Sequence, residues 1–199
     1  HSDGQRSPAE LLAEAAARGL TVLALTDHDT VSGIPDAMEA AAAHGLRLVP
    51  GIELSCELHG REVHVLGHFL DPSSPGVGRI SEQMLDERRM RMERMVERAR
   101  VSGLAGVTIE RVVAASGGKN LGRPHLARVL VDCGHCKSVK DAFDRFLGND
   151  GALFVDRLRL SVEQAVELIH AAGGTSSFAH PGANEVSRQE LKTCAALGL

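Results

Sequence analysis

Tryptophan and tyrosine are absent from this chain of 199 residues, and only five phenylalanines are present. A surface that works by stacking bases on aromatic rings therefore has few platforms to build on. Positive charge does not take their place. Twenty-two Lys and Arg stand against 26 Asp and Glu, a net charge of -4, which excludes wholesale attachment to nucleic acid. Any such contact is local, and no binding of duplex DNA is expected. The four cysteines, Cys56, Cys133, Cys136 and Cys194, are too scattered for a disulfide scaffold and read as reduced thiols. No apolar run reaches the ~18 residues that a membrane span needs. A basic start followed by an apolar stretch, the mark of a signal peptide, is also missing. The expectation is a cytoplasmic protein without membrane contact, its oligomeric state open.

What is present, 43% hydrophobic and 24% charged residues, is the composition of one soluble globular domain with room for an insertion. Ser7, Pro8 and Glu10 form a capping box with proline at the first helical position, and a stop follows at Gly19. The apolar run at 20–25 suits a short strand buried on both faces. A second helix over 34–44 ends at Gly45, LRLVPGIE reads as a strand delivering Glu53, and EVHVLGHF alternates with His64, Leu66 and His68 on one face. DPSSPGVG at 71–78 is a linker by composition. A long charged helix over 80–100 follows, then shorter helices near 108–115, 124–131 and 138–146. At Ser161 a capping box with Gln164 reopens the α/β pattern. TSSFA then leads into HPG, and Ser187 with Glu190 caps a last helix. The division expected is 1–72, first part of an α/β unit; 73–158, an all-helical insertion; and 159–199, the second part.

A polar motif recurs at the end of each strand: TDHD at 26–29, GIE at 51–53, VH at 63–64 and AHPG at 179–182. In barrels of strand and helix units, that end is where chemistry is placed. His28, Glu53, His64 and His180 supply imidazole and carboxylate, the ligands of Zn²⁺, Mn²⁺ or Fe²⁺. Each has an ordinary reading: a satisfied core histidine for His64, an arginine partner for Glu53, a helix cap for Asp29. Together they would leave several polar groups buried at one rim at a cost of several kcal/mol, which metal ions would offset. Asp27 and Asp29 are then groups that support the ligands or cap the helix that follows.

These stretches, with SDG at 2–4, GIELS at 51–55, EVHVLG at 62–67 and GRPHLARVLV at 122–131, resemble in order and spacing the PHP (polymerase and histidinol phosphatase) family of metal-dependent phosphoesterases. The helical insertion with GRPHLAR resembles its nucleotide-acting branch. The resemblance implies a distorted seven-stranded β/α barrel, similar to a TIM barrel, holding two or three divalent ions (Mn²⁺, Zn²⁺ or Fe²⁺). It implies that Asp3 and His28 bind one metal, that Glu53 bridges two others, and that His64 and His180 complete the second. It also implies hydrolysis of phosphate from a nucleoside monophosphate or 3′,5′-bisphosphate, or from the 5′ end of short RNA. Arg123, at a helix start where free N–H groups also face an anion, with His125 and Arg128 nearby, is expected to hold the phosphate. Histidinol-phosphate phosphatase, or a non-catalytic nucleotide- or RNA-binding module, are the alternatives.

The sequence departs from the family pattern at three places. The His-x-His pair that precedes SDG is absent, since His1 directly precedes Ser2 and occupies a variable position. The family's later Asp-x-His motif does not occur before Leu199, so the chain is expected to be truncated at both ends, with a degenerate relative as the other reading. AHPG is followed by Ala183 and Asn184 where many relatives have arginine, which leaves one phosphate contact missing or moved. Two further features are given ordinary readings. CGHC at 133–136 lacks a second CxxC pair and is not expected to bind metal. The arginine-rich helix at 88–100 interleaves Glu93 and Glu97 and is expected to be a solvated, self-paired face, free to guide an RNA end.

Overall fold

The computed structural model describes residues 6–118, 120–184 and 186–199. The chain folds as two compact units: a helical one, Met84–Leu158, and a sheet-containing one formed by Arg6–Gln83 with Arg159–Leu199.

In the sheet unit, α1 (Pro8–Ala17) opens on the full Ser7/Glu10 capping box. Strand β1 (Val22–Leu25) follows, then α2 (Ile34–His44), which closes on Gly45 in the left-handed conformation. The long β2 (Arg47–Leu58) and β3 (Arg61–His68) form an antiparallel hairpin. Its two-residue turn places His59 and Gly60 both at positive φ, 51° and 77°, the geometry that matches strand twist in tight hairpins. The two-residue β4 (Leu160–Ser161) pairs parallel with β2. Helix α7 (Val162–Ala171) then leads to β5 (Thr175–Ala179), antiparallel to β3. The sheet runs β1-β2-β3-β5, with β4 beside β2, so parallel and antiparallel pairings are mixed. The fold is mixed α/β.

β1 differs from the expectation of a strand buried on both faces. Val22 is exposed and only Leu25 is fully buried, because β1 stands at the end of the described sheet with β2 as its partner. Leu25 packs with Leu12 and Ala15 of α1 and Ile34, Ala37 and Ala41 of α2. On β3 the alternation is as read: Val63, Val65 and Gly67 are buried while His64, Leu66 and His68 are less so. Two glycines allow the strands to approach. A Cβ on Gly51 would lie 2.6 Å from the carbonyl oxygen of Gly67, and one on Gly67 would lie 2.9 Å from Ile169 of α7. The last helix, α8 (Arg188–Ala195), carries the Ser187/Glu190 box, and Glu190 also pairs with Arg61 and His59 at the hairpin tip.

Helix α3 (Pro75–Val101) enters the helical unit at Met84. There follow α4 (Ile109–Ser116), α5 (Arg123–Asp132), α6 (Val139–Ala142) and a π-helical turn at Phe143–Leu147. They surround a core that includes Met92, Met95, Val112, Leu126, Leu130 and Leu147. Arg89 with Glu93 and Arg100 with Glu97 are the self-paired surface expected of α3. Arg88 and Arg91 are not part of it: both are buried. Helical spacing puts them on the same stripe as Met84, Met92 and Met95. Arg91 Nε donates to the Val155 carbonyl at 2.6 Å and its guanidinium lies 5.6 Å from the Phe154 ring, so it satisfies an irregular stretch that has no sheet partner.

Candidate metal centre

The sheet brings together three of the residues expected at strand ends; His28 does follow β1, whereas Glu53 and His64 lie within β2 and β3 rather than at their ends, because the hairpin continues five residues past Glu53. His28 and Glu53 form an isolated parallel bridge that extends the β1–β2 pairing, with Asp29 N–H donating to Glu53 O at 2.8 Å and Glu53 N–H to Asp27 O at 3.0 Å. Across the hairpin, Glu53 lies opposite Leu66 and Ser55 opposite His64, which sets the Glu53 carboxylate beside the His64 ring. Among the described residues, His28, Glu53 and His64 are the one group whose donor atoms lie close enough to share an ion, all within 4.8 Å of one another.

Glu53 is the hub. Its Oε1 is 2.8 Å from His64 Nδ1 and 3.2 Å from His180 Nε2, while Oε2 is 3.8 Å from His28 Nδ1. The rings follow in edge-on series, His28 to His64 at 5.0 Å and His64 to His180 at 5.1 Å. Burial opposes charge on the Glu53 carboxyl, but the His64 hydrogen bond and the charges of His28 and His64 hold it below the usual carboxylate range. Burial likewise opposes charge on His64. Its bonds to Glu53 and to Glu62 outweigh that and raise it to about 9. Two carboxylates thus flank one imidazole, with Glu62 Oε1 3.2 Å from His64 Nε2 and Arg159 Nη2 3.4 Å from the other Glu62 oxygen.

The turn that presents His28 is itself anchored. Asp29 is fully buried and sits at φ 55°, a left-handed conformation that Asp tolerates better than most residues. Its two oxygens accept from Ser55 N–H at 2.7 Å and Ser55 Oγ at 2.8 Å. Its alternative reading as a helix cap is not realised: α2 begins at Gly33 with no side-chain cap, and the carboxylate is turned towards β2.

His180, at the end of β5, is half-exposed and also left-handed, with φ 36°. Asp3 lies outside the described residues. Arg123, His125 and Arg128 belong to the helical unit, on α5. Arg123 Nη1 donates to the Leu147 carbonyl at 3.2 Å and to Asn149 Oδ1 at 3.1 Å, and it faces Phe143 and Phe154. His125 is buried, its Nδ1 accepting from Gly122 N–H at 3.0 Å to cap the helix start. In the CGHC stretch Cys133 accepts from Arg111 Nη1 at 3.1 Å, Cys136 is buried with its thiol pushed up by burial, and the two do not join a metal-like group among the described residues. Reading the sequence missed Ser55, Glu62, Arg159 and Asn184. Glu62 could have been found, since it is two positions before His64 on one strand and so shares its face.

The sequence profile of the PHP domain matches residues 1–71. A solved structure from Bifidobacterium adolescentis, assigned as a metal-dependent phosphoesterase, superposes with a TM-score of 0.90 at 31% identity, covering 100% of this chain and 71% of that one. The chain belongs to the PHP family. Two curated relatives are similar over nearly its whole length. One is the 5′-3′ exoribonuclease Rnm of Salmonella typhimurium, 33% identical over 96% of this chain and 66% of the relative. The other is the 3′,5′-nucleoside bisphosphate phosphatase of Chromobacterium violaceum, 33% identical over 94% and 66%. The chain spans just under two thirds of the length of these curated relatives. Among its described residues, no helix is long and apolar enough to cross a membrane.

Proposed function

We propose that this PHP chain belongs to a divalent-metal-dependent phosphoesterase that hydrolyses phosphate from nucleotides, with a nucleoside monophosphate, a 3′,5′-bisphosphate or the 5′ end of short RNA as substrate. The observation that carries the reading is the Glu53 hub, with one carboxylate oxygen turned to His64 and His180 and the other towards His28. The names of the relatives, an exoribonuclease and a bisphosphate phosphatase, supply the substrate class.

The donor set fits Mn²⁺, Zn²⁺ or Fe²⁺, which imidazole and carboxylate suit. His28, Glu53, His64 and His180 would hold two or three ions together with Asp3. Bound ions lower the pKa of water and offset charge on the phosphoryl oxygens. The chain's own residues do the positioning. Asp29 fixes the turn that presents His28 through its two bonds to Ser55. Glu62, itself beside Arg159, orients the His64 ring from the far side. We assign phosphate contact to Arg123 and Arg128, and to His125 the task of shaping the start of α5. The open sheet is read as an arc of a distorted seven-stranded β/α barrel, which the parallel pairing of β1, β2 and β4 supports.

The test is metal content by elemental analysis together with phosphate release from a nucleotide and 5′-phosphorylated RNA panel in Mn²⁺. Release that is abolished by Glu53→Gln and by His64→Ala is the expected result. Bound metal and bound nucleotide with no release from any substrate would overturn the catalytic reading and leave a binding module.

A further inference from the structure

The sheet stops one residue short of His180. The β3–β5 ladder ends at the pair of His64 and Ala179, and His180 then turns at φ 36°, a left-handed conformation that persists only where its surroundings hold it. Inside the loop, Ala183 N–H donates to the His180 carbonyl and Val186 N–H to that of Pro181, each at 3.0 Å. The ring contacts Glu53 Oε1 through Nε2 at 3.2 Å and Asn184 Oδ1 through Nδ1 at 2.7 Å.

What holds the loop is the start of β3. Arg61 lies opposite Leu58, next to the hairpin turn, and its guanidinium reaches two elements at once. Nη1 donates to the Asn184 carbonyl at 3.1 Å, and Nη2 pairs with Glu190 Oε1 on α8. The next residue adds a third point, the Glu62 carbonyl accepting from Asn184 Nδ2 at 3.1 Å. Glu190 divides its carboxylate between two tasks. Oε2 accepts from Ser187 N–H at 2.8 Å and Ser187 Oγ at 2.7 Å, capping α8, while Oε1 faces Arg61 and lies 3.2 Å from His59 Nδ1. Those bonds, Ser187's first and Arg61's after, hold the Glu190 carboxyl down to about 2, so the charge that meets Arg61 persists at neutral pH. A planar fork with donors on both arms suits such a site: one arm takes the loop backbone, the other the helix to which the loop leads.

We propose that Arg61 is the positioning residue of His180: its guanidinium clamps the loop and α8 to the start of β3 and so keeps the His180 ring at the Glu53 carboxylate. Arg61 thereby ties the loop of one candidate ligand to the strand that carries another, His64. The consequence for metal affinity rests on the metal-site reading above, whereas the consequence for the loop does not.

The experiment is amide hydrogen exchange by NMR on the intact, chelator-treated protein, read at Ala183 and Val186, with the amides of 63–67 in β3 and 176–179 in β5 as controls. Mn²⁺ titration calorimetry is run in parallel. Arg61→Met keeps the stem and removes the fork. It should speed exchange at both loop amides about 5- to 10-fold, leave the controls as in wild type, and weaken Mn²⁺ roughly 10-fold. In a His180→Gln background the same change should cost no further Mn²⁺ affinity, because Arg61 acts through His180. Glu190→Gln offers one oxygen where two are used, so it must give up Ser187 or Arg61 and should speed the same two amides; it decides the matter should Arg61→Met fail to fold. Loop exchange that is unchanged, or that rises equally in the controls, overturns the proposal. So does a further loss of Mn²⁺ affinity in the His180→Gln background, or a loosened loop with Mn²⁺ affinity intact. If wild type binds no Mn²⁺ while the loop loosens as expected, the metal reading fails and the clamp stands. If Mn²⁺ binds and neither loop nor affinity responds to Arg61→Met, the clamp fails and the metal reading stands.

Discussion

Replacing Asp29 tests whether the turn before α2 is an anchored platform. Asp29 and Ser55 are both fully buried, and Asp29→Ala removes the bonds of 2.7 and 2.8 Å between them. A hydrogen bond to a charged group contributes about 1.5–3 kcal/mol, and a stranded buried donor costs about 1–3 kcal/mol. The Ser55 hydroxyl can turn to another acceptor; its N–H cannot. Alanine held at the φ of 55° adds about 1–2 kcal/mol of backbone strain. Together the loss is about 3.5–8 kcal/mol, a large part of the 5–15 kcal/mol that typically holds a domain. An asparagine in its place keeps the left-handed tolerance, can accept from the N–H and can donate to the hydroxyl, so Asp29→Asn should cost only about 1–2 kcal/mol. With no Trp and no Tyr in the chain, the assay is urea unfolding followed by far-ultraviolet circular dichroism in chelator, with exchange of the Ser55 amide as a local probe. Equal losses for Asp29→Ala and Asp29→Asn, or a loss below about 1 kcal/mol for alanine, would refute the argument.

Gly51→Ala should destabilise by about 1–3 kcal/mol or more, since its Cβ would meet backbone oxygen at 2.6 Å; urea midpoints decide it. Arg91→Met should cost about 1–3 kcal/mol by freeing the Val155 carbonyl from its donor, and a neutral or stabilising result would show that methionine packing suffices. In the metal-free protein, His64 is raised to about 9, so its contribution is complete below about pH 6.5 and is lost as pH rises through about 9. Glu53 is lowered, so its contribution is complete above about pH 4.5 and is lost on acidification. Urea midpoints should therefore fall on both sides of that window, and His64→Gln should flatten the alkaline limb. A wild-type limb as flat as that of His64→Gln would contradict the assigned charge pair.

Much of the helical structure was legible because capping leaves a local signature: Ser7 with Glu10, Ser161 with Gln164 and Ser187 with Glu190 all make the boxes their spacing announces. The hairpin was legible where one face differs from the other, as in the alternation of Val63 and Val65 with His64 and Leu66. β1 was misjudged because four apolar residues read the same at a sheet end as inside a sheet. The two residues of β4 are too few to show any period. Arg91 was counted with the solvated face, since charge alternation does not reveal that a backbone carbonyl in need of a donor, that of Val155, lies against the helix. Within the candidate site, the histidines and Glu53 advertise themselves by residue type, whereas Asn184 does not: its partner carbonyl is 122 positions away, and nothing between them encodes the meeting.

The hairpin has a kinetic consequence. Glu53 and His64 are eleven positions apart and meet through a two-residue turn, so they join on the timescale of hairpin closure, about 1–10 μs. His180 is 127 positions from Glu53, and its arrival requires closing a loop that contains the whole helical unit, a step that topology makes slow. The Glu53–His64 contact of the candidate cluster is thus local and can form before the loop that brings His180 to Glu53 has closed.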